Sequence, residues 1–233
     1  MADGKPSTLV FLLPTIFLAI LFVLYLLPGS QQSIAVYAVS SFFLFFALAL
    51  SSWGAGAHGA FDMQKGLEYI GLLPLPKGKS GLFKTAKWAV AAFLLSCIMT
   101  GAVSLALASL GIADSALVEK KITALPFATL FIAFTVSPIA EEALFRGYFF
   151  RKISETANGR GKPGAAAAAA GAIISSLIFA ILHFSYGSVS EIAVAFFVGL
   201  ALCYVARKSG SIIPAVLAHA AFNLISIAFM VFL

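Results

Sequence analysis

The chain has 233 residues, 61% of them hydrophobic and only 10% charged, with a mean hydropathy of +1.04 and a formal net charge of +6. A soluble domain carries about 25% charged residues, so a chain this poor in charge cannot cover a water-facing surface. A soluble enzyme, a disordered tail and a nucleic-acid-binding domain are excluded, and the surplus of Lys and Arg reports orientation in a membrane rather than an acidic partner.

A helix needs about 20 mostly apolar residues to cross a bilayer. In chain order the stretches that qualify or nearly do are 9–27, 33–53, 88–110, 124–150, a segment inside 165–184, 192–206 and 212–233. The first is too long for the apolar part of a secretory signal, carries only Lys5 ahead of it and has no small-residue cleavage site after it, so it reads as a retained helix. The sixth is short and must borrow flanking residues. Within 54–87, the stretch from Gly66 to Pro74 could supply an eighth, re-entrant or interfacial segment. No hydrophilic stretch is long enough for a separate soluble domain. The expected fold is therefore all-α, a single integral membrane domain over 1–233, built as a polytopic bundle of about seven to eight spanning helices.

The loops orient it. With the N-terminus inside, twelve basic residues fall on the inner side: Lys5, Lys65, Lys77, Lys79, Lys84, Lys87, Arg151, Lys152, Arg160, Lys162, Arg207 and Lys208. Only Lys120 and Lys121 fall outside, with Asp114 and Glu119 beside them. The asymmetry predicts a cytosolic N-terminus in a cell membrane, with the C-terminus outside.

Three features carry no function. Gly54, Gly56 and Gly59 have dinucleotide-binding spacing, but that motif works only between a strand and a helix. His58 sits in the same glycine-rich stretch and reads as a solvated loop histidine. Cys97 and Cys203 lie in apolar runs and read as small buried hydrophobes. The tract 165–170 is all alanine, which favours helix but anchors poorly in hydrocarbon.

The fourth span is the informative one, because Glu141, Glu142 and Arg146 interrupt its apolar run. A charge at the centre of a membrane helix costs about 2.5–3.5 kcal/mol, so all three need partners. Glu142 and Arg146 are four apart and can pair on one face. Glu141 points about 100° away and must find its partner on another helix. Pro138, one turn earlier, removes a backbone donor and opens the helix. In the fifth span Phe179 precedes His183 by four residues, and in the seventh His219 precedes Asn223 by four, each pair sharing a face.

Depth brings these residues to one level. Glu141 is ten residues from Arg151 and so about 15 Å deep, and His219 is eleven from Lys208 and so about 16 Å deep. His183 matches only if about nine residues that include the alanine tract project out of the membrane. The reading places the chemistry towards the Lys/Arg-rich, cytosolic side. A carboxylate facing a histidine can hold and deprotonate a water. A second histidine with an asparagine can donate hydrogen bonds to a developing oxyanion. The set suits amide hydrolysis.

Glu141-Glu142-x-x-x-Arg146, Phe179-x-x-x-His183 and His219-x-x-x-Asn223, in this order on three spans, resemble the three motifs of the CPBP family of intramembrane proteases. This is the CAAX-protease and bacteriocin-processing, or ABI, family, which includes the Ras-converting endopeptidases. The resemblance covers about residues 135–225, within a motif-bearing core of about 125–233. It implies an intramembrane endopeptidase in which Glu141 activates water, His183 holds the same water, and His219 with Asn223 forms the oxyanion site. Glu142, Arg146 and Phe179 would support them. The implied partners are membrane lipids and a peptide or protein substrate, including one with a prenylated C-terminus, and no nucleic acid. The Ras-converting branch implies a metal-free glutamate-activated water. Glu141, His183 and His219 would be the ligands of a catalytic zinc in the alternative, since family members have been classed as metalloproteases. The other readings are a proton-coupled transporter, with the same residues as a relay, and a non-catalytic bacteriocin self-immunity or membrane scaffold protein.

Overall fold

The computed structural model describes residues 63–159 and 162–232. The first two expected spans, Gly54, Gly56, Gly59 and His58 lie outside the described residues. Among the described residues the secondary structure is helical throughout. The elements are α1 (Met63–Tyr69), α2 (Gly78–Ser109), α3 (Ala116–Thr123), α4 (Phe127–Phe134), α5 (Val136–Glu142), a π-helical turn (Ala143–Phe149), α6 (Phe150–Asn158), α7 (Ala165–Leu182), a 3-10 turn (His183–Tyr186), α8 (Val189–Ser209) and α9 (Ile213–Phe232). Five helical stretches are long and apolar enough to cross a membrane: α2, the α4-to-α6 run, α7 with its 3-10 turn, α8 and α9. They correspond one for one to the third to seventh expected spans.

The boundaries differ where local chemistry outweighs hydropathy. α2 begins at Gly78, ten residues before the apolar run at Trp88, and takes Lys79, Lys84 and Lys87 into its first turns. Its 32 residues span about 48 Å, more than the roughly 30 Å hydrocarbon core, so the lysine-bearing turns project into the polar layer. α8 does borrow at both ends. Its start is fixed by Ser188, whose hydroxyl accepts from the Glu191 N–H as an N-cap. Between Met63 and Lys87 the described residues hold no additional span. Instead α1 inserts Ile70, fully buried, among Ala143, Leu144 and Phe145 at the basic end of the bundle.

The fourth span is broken twice. α4 ends at Thr135, three residues ahead of Pro138, whose missing N–H leaves the Phe134 carbonyl without its helical donor. From Ala143 the turn widens, and the Phe150 N–H reaches back five residues to the Phe145 carbonyl. The Ser175 hydroxyl on α7 donates to that same carbonyl at 2.7 Å.

Small residues bring the helices together. A Cβ at Gly171 would collide with Ser154 Oγ and lie 2.7 Å from the Phe150 carbonyl, and one at Gly199 would lie 2.9 Å from Ser176 Cβ. Close backbone approach is how membrane helices gain van der Waals contact where lipid is as apolar as leucine. The Gly171–Ser154 contact also sets depth. It places the alanine tract level with α6, at the basic end, and so carries His183 up to the level of Glu141. Large apolar side chains on α2 (Val90, Leu94, Ile98, Leu105) and α9 (Leu217, Ile225, Phe229) face outward, on surfaces suited to lipid or to further apolar helices.

Substitution of Gly171 by Val forces α6 and α7 apart. We expect a loss of about 1–3 kcal/mol, read as a lower melting temperature in detergent. An unchanged melt would mean that the two helices do not pack at this point.

Candidate active site

α5 ends on two adjacent carboxylates with different fates. Glu142 is fully buried. Its Oε1 accepts from Arg146 Nη1 at 2.7 Å and from His219 Nδ1 at 2.8 Å. The pairing expected from four-residue spacing is therefore present, and α9 joins it through His219. Glu141, one helical step round, points into a cavity. Its partner on another helix is again His219, with Nε2 at 3.7 Å from Oε2. That separation is too long for a direct hydrogen bond and suits a bridging molecule.

Phe179 organises the other side. The Arg146 guanidinium lies 4.4 Å above its ring, and Phe145 meets it edge-on at 5.0 Å. Its centroid is 4.6 Å from the His183 ring and 6.0 Å from the His219 ring. His183 stands where α7 tightens into the 3-10 turn, and its Nδ1 is 2.9 Å from the Phe179 carbonyl. A carbonyl only accepts, so Nδ1 carries the hydrogen and Nε2 is left with its lone pair.

Glu141, His183, His219 and Asn223 line one cavity of about 580 Å³, most of whose wall is apolar. Glu142 and Arg146 do not reach it. Asn223 uses one amide hydrogen on the Ala133 carbonyl, 2.9 Å away at the break between α4 and α5, and keeps a second.

The direction of the cavity differs from the sequence expectation. Glu141 lies at its floor. Its walls rise along Ser137 and Ala133 towards the start of α4, along the last third of α2, the first turns of α8 and the later turns of α9. All of these run away from Lys87, Lys152 and Arg207. The cavity therefore extends from Glu141 away from the Lys/Arg-rich end. Residue counting gives depth but not the direction of opening, and the Glu142–Arg146–Phe179 block lies between Glu141 and the basic end.

The far end of the cavity is roofed by α3, which buries Val118 and Ile122 against Leu130, Ile227 and Met230. Here sequence reasoning missed residues. Asp114 accepts hydrogen bonds from the Ser188 hydroxyl (2.7 Å) and from the Val189 (2.7 Å) and Ser190 (2.9 Å) N–H groups at the start of α8. Those donors hold its carboxyl well below the usual carboxylate range, and the positive end of the helix favours the anion. A depressed carboxyl contributes its anchorage above the ordinary value near 4 and loses it only in stronger acid. Lys121 donates to the Ser185 carbonyl at 2.6 Å. Together they clamp the turn that follows His183. The signal for Asp114 lies about 75 residues from its donors, beyond any local pattern.

For zinc, Glu141, His183 and His219 would be the ligands. Among the described residues no three His, Cys, Asp or Glu side chains are grouped to hold a metal ion, so this set does not fit one as it stands.

Residues 123–225 match the family model described as "Type II CAAX prenyl endopeptidase Rce1-like". Over these residues the chain is similar to that family. The match spans the Glu-Glu-x-x-x-Arg, Phe-x-x-x-His and His-x-x-x-Asn motifs and the break, π turn and helix pairs that carry them. The match supports a CAAX-type protease at the level of the family, and the five long apolar helices support an integral membrane protein. No curated protein matches the chain, and no solved structure does.

The two glutamates separate in a stability measurement. Glu142→Gln strands the buried Arg146 cation and costs about 3–5 kcal/mol. Glu141→Gln, at the cavity surface, changes stability by less than about 1 kcal/mol. Equal losses in detergent melts would refute the division between support and reaction.

Proposed function

We propose that this protein is an intramembrane endopeptidase in which Glu141 and His183 activate one water and His219 and Asn223 stabilise the oxyanion. The observation that carries the reading is His219, held on Glu142 and turned towards Glu141 at the floor of a cavity that His183 and Asn223 also line.

Water in the gap gives one hydrogen to a Glu141 oxygen. The lone pair on His183 Nε2 accepts its other hydrogen bond, which turns the water oxygen towards a peptide carbonyl. Attack forms the C–O bond as Glu141 takes the proton, and the carbonyl electrons move to oxygen. His219, held through Nδ1 on Glu142, turns Nε2 to that oxyanion, with the free amide hydrogen of Asn223 beside it as a donor. Glu141 then returns the proton to the departing amine, and the C–N bond breaks. No step runs through a metal.

Positive-inside topology puts the basic end in the cytosol, so the cavity receives its substrate from the opposite side or leaflet. The apolar walls suit an extended, hydrophobic peptide segment. A prenylated cytosolic tail is the accessible class only if the orientation is reversed. Labelling intact cells with an impermeant maleimide tests this. Ser115→Cys should react at once and Lys152→Cys only after permeabilisation. The opposite pattern would turn the cavity to the cytosol.

Activity tests the roles. In detergent, against a panel of membrane peptides that includes a farnesylated CAAX peptide, Glu141→Gln and His183→Ala should each lower kcat about 10²–10⁴-fold. Undiminished cleavage would remove the assignment. Absence of any cleavage, together with Glu141-dependent proton flux in liposomes, would make the protein a transporter.

A further inference from the structure

A second cavity, of about 450 Å³, opens at the basic end of the bundle between α6, the start of α7, the end of α8 and the start of α9. Arg151, Lys162 and Arg207 line it, with Arg146 at its floor and Glu155 as its one carboxylate. Orientation in a membrane requires basic residues at this end, but it does not require them to converge on a concavity.

The donors are uncommitted. Glu155 accepts from the Tyr69 hydroxyl at 2.8 Å, and Arg151 stacks over the Tyr69 ring at 5.2 Å. The guanidinium hydrogens of Arg151 are thus not taken up by that stack. Arg207 makes one long hydrogen bond, 3.4 Å, to the Pro163 carbonyl. Arg146 is only 2% exposed, and its Nε and Nη2 have no oxygen acceptor among the described residues. Their polar neighbour is the Cys203 thiol, a weak acceptor. The Arg146 side chain is sealed beneath the cleft, and the three cations that ring the cleft, Arg151, Lys162 and Arg207, suit an anion with several oxygens.

Position selects which anion. The Lys/Arg asymmetry puts Arg151, Lys162 and Arg207 at the end of the bundle that meets the polar layer, where lipid phosphates lie. We infer that this cleft is a binding site for a phosphate-bearing anion, the headgroup phosphate of an acidic phospholipid, seated between Arg151 and Arg207 above Arg146. Basic pockets between membrane helices take such headgroups. Arg146, which holds Glu142, lies sealed beneath the ligand rather than in contact with it. The inference does not depend on the catalytic reading.

The test is lipid retention by native mass spectrometry of the full chain, purified with phosphatidylglycerol or with phosphatidylcholine. The wild type should keep phosphatidylglycerol and lose phosphatidylcholine. Arg151→Gln/Arg207→Gln should weaken retention about 30-fold. Lys84→Gln/Lys87→Gln removes the same charge from the same end but outside the cleft, and should leave retention unchanged. Equal loss in both double variants, or in neither, would mean annular lipid only and would overturn the site. Melting temperatures in phosphatidylcholine check that each variant folds, and the exposed Arg207→Gln alone serves if the double variant does not. A parallel titration with inorganic phosphate separates the sources. Displacement of the lipid by phosphate supports the site with free phosphate as a ligand, retention despite phosphate supports the intact headgroup, and binding of neither phosphate nor lipid overturns it.

Discussion

The Glu142 carboxylate, sealed from solvent and shared by Arg146 and His219, is the constraint on which the rest of this bundle depends. A carboxylate at that depth is costly unless its charge is met and its lone pairs are used. Arg146 meets the charge from one turn along the same helix. That pair alone would hold nothing else in place. His219 brings α9 to it, and the Arg146 guanidinium resting on Phe179 brings α7. Three spans are fixed around one anion in a medium where apolar contact alone does not choose a register.

The packing around that anion is made of small residues for a reason the anion imposes. Helices must approach closely for a glutamate, a histidine and a phenylalanine to meet across their axes. Gly171 against Ser154, Gly199 against Ser176 and buried Ala140, Ala143 and Ala180 allow it. The π turn belongs to the same solution. It widens the helix where Arg146 must reach both back to Glu142 and across to Phe179, and the carbonyl at its edge is covered by Ser175. A break at Thr135 and a wide turn at Ala143 confine Glu141 and Glu142 to a short, separately aimed piece of helix.

How much of this could be read from residue order follows from the range of each interaction. The Glu142–Arg146 and Phe179–His183 contacts lie four residues apart, and helical geometry alone predicts them. The helical alanine tract was legible too, because alanine is the best helix former. The start of α8 was written in Ser188 and Glu191, but hydropathy obscured it. What could not be read was set by contacts distant in sequence. Asp114 caps α8 across about 75 residues. The cavity extends away from the basic end because α7, α9 and the Glu142–Arg146 pair fill the other side, which no count along one helix can show.

Adjacent glutamates on one helix therefore do opposite work. A step of about 100° turns one carboxylate into the packed interior, where it must remain an anion to keep Arg146 and His219. It turns the other into a cavity, where its nearest partner among the described residues is His219 Nε2 at 3.7 Å, too far for a direct hydrogen bond. His219 lies beside both, and its two nitrogens divide accordingly, Nδ1 to the buried carboxylate and Nε2 to the one that faces the cavity. Since Glu142 can only accept, Nδ1 carries a hydrogen towards it, and Nε2 is the nitrogen the cavity meets. The buried pair thus does more than hold helices together. It sets the polarity of the group that faces Glu141, so any ligand or substitution that disturbs Arg146 from the basic end would be felt at the cavity floor on its other side.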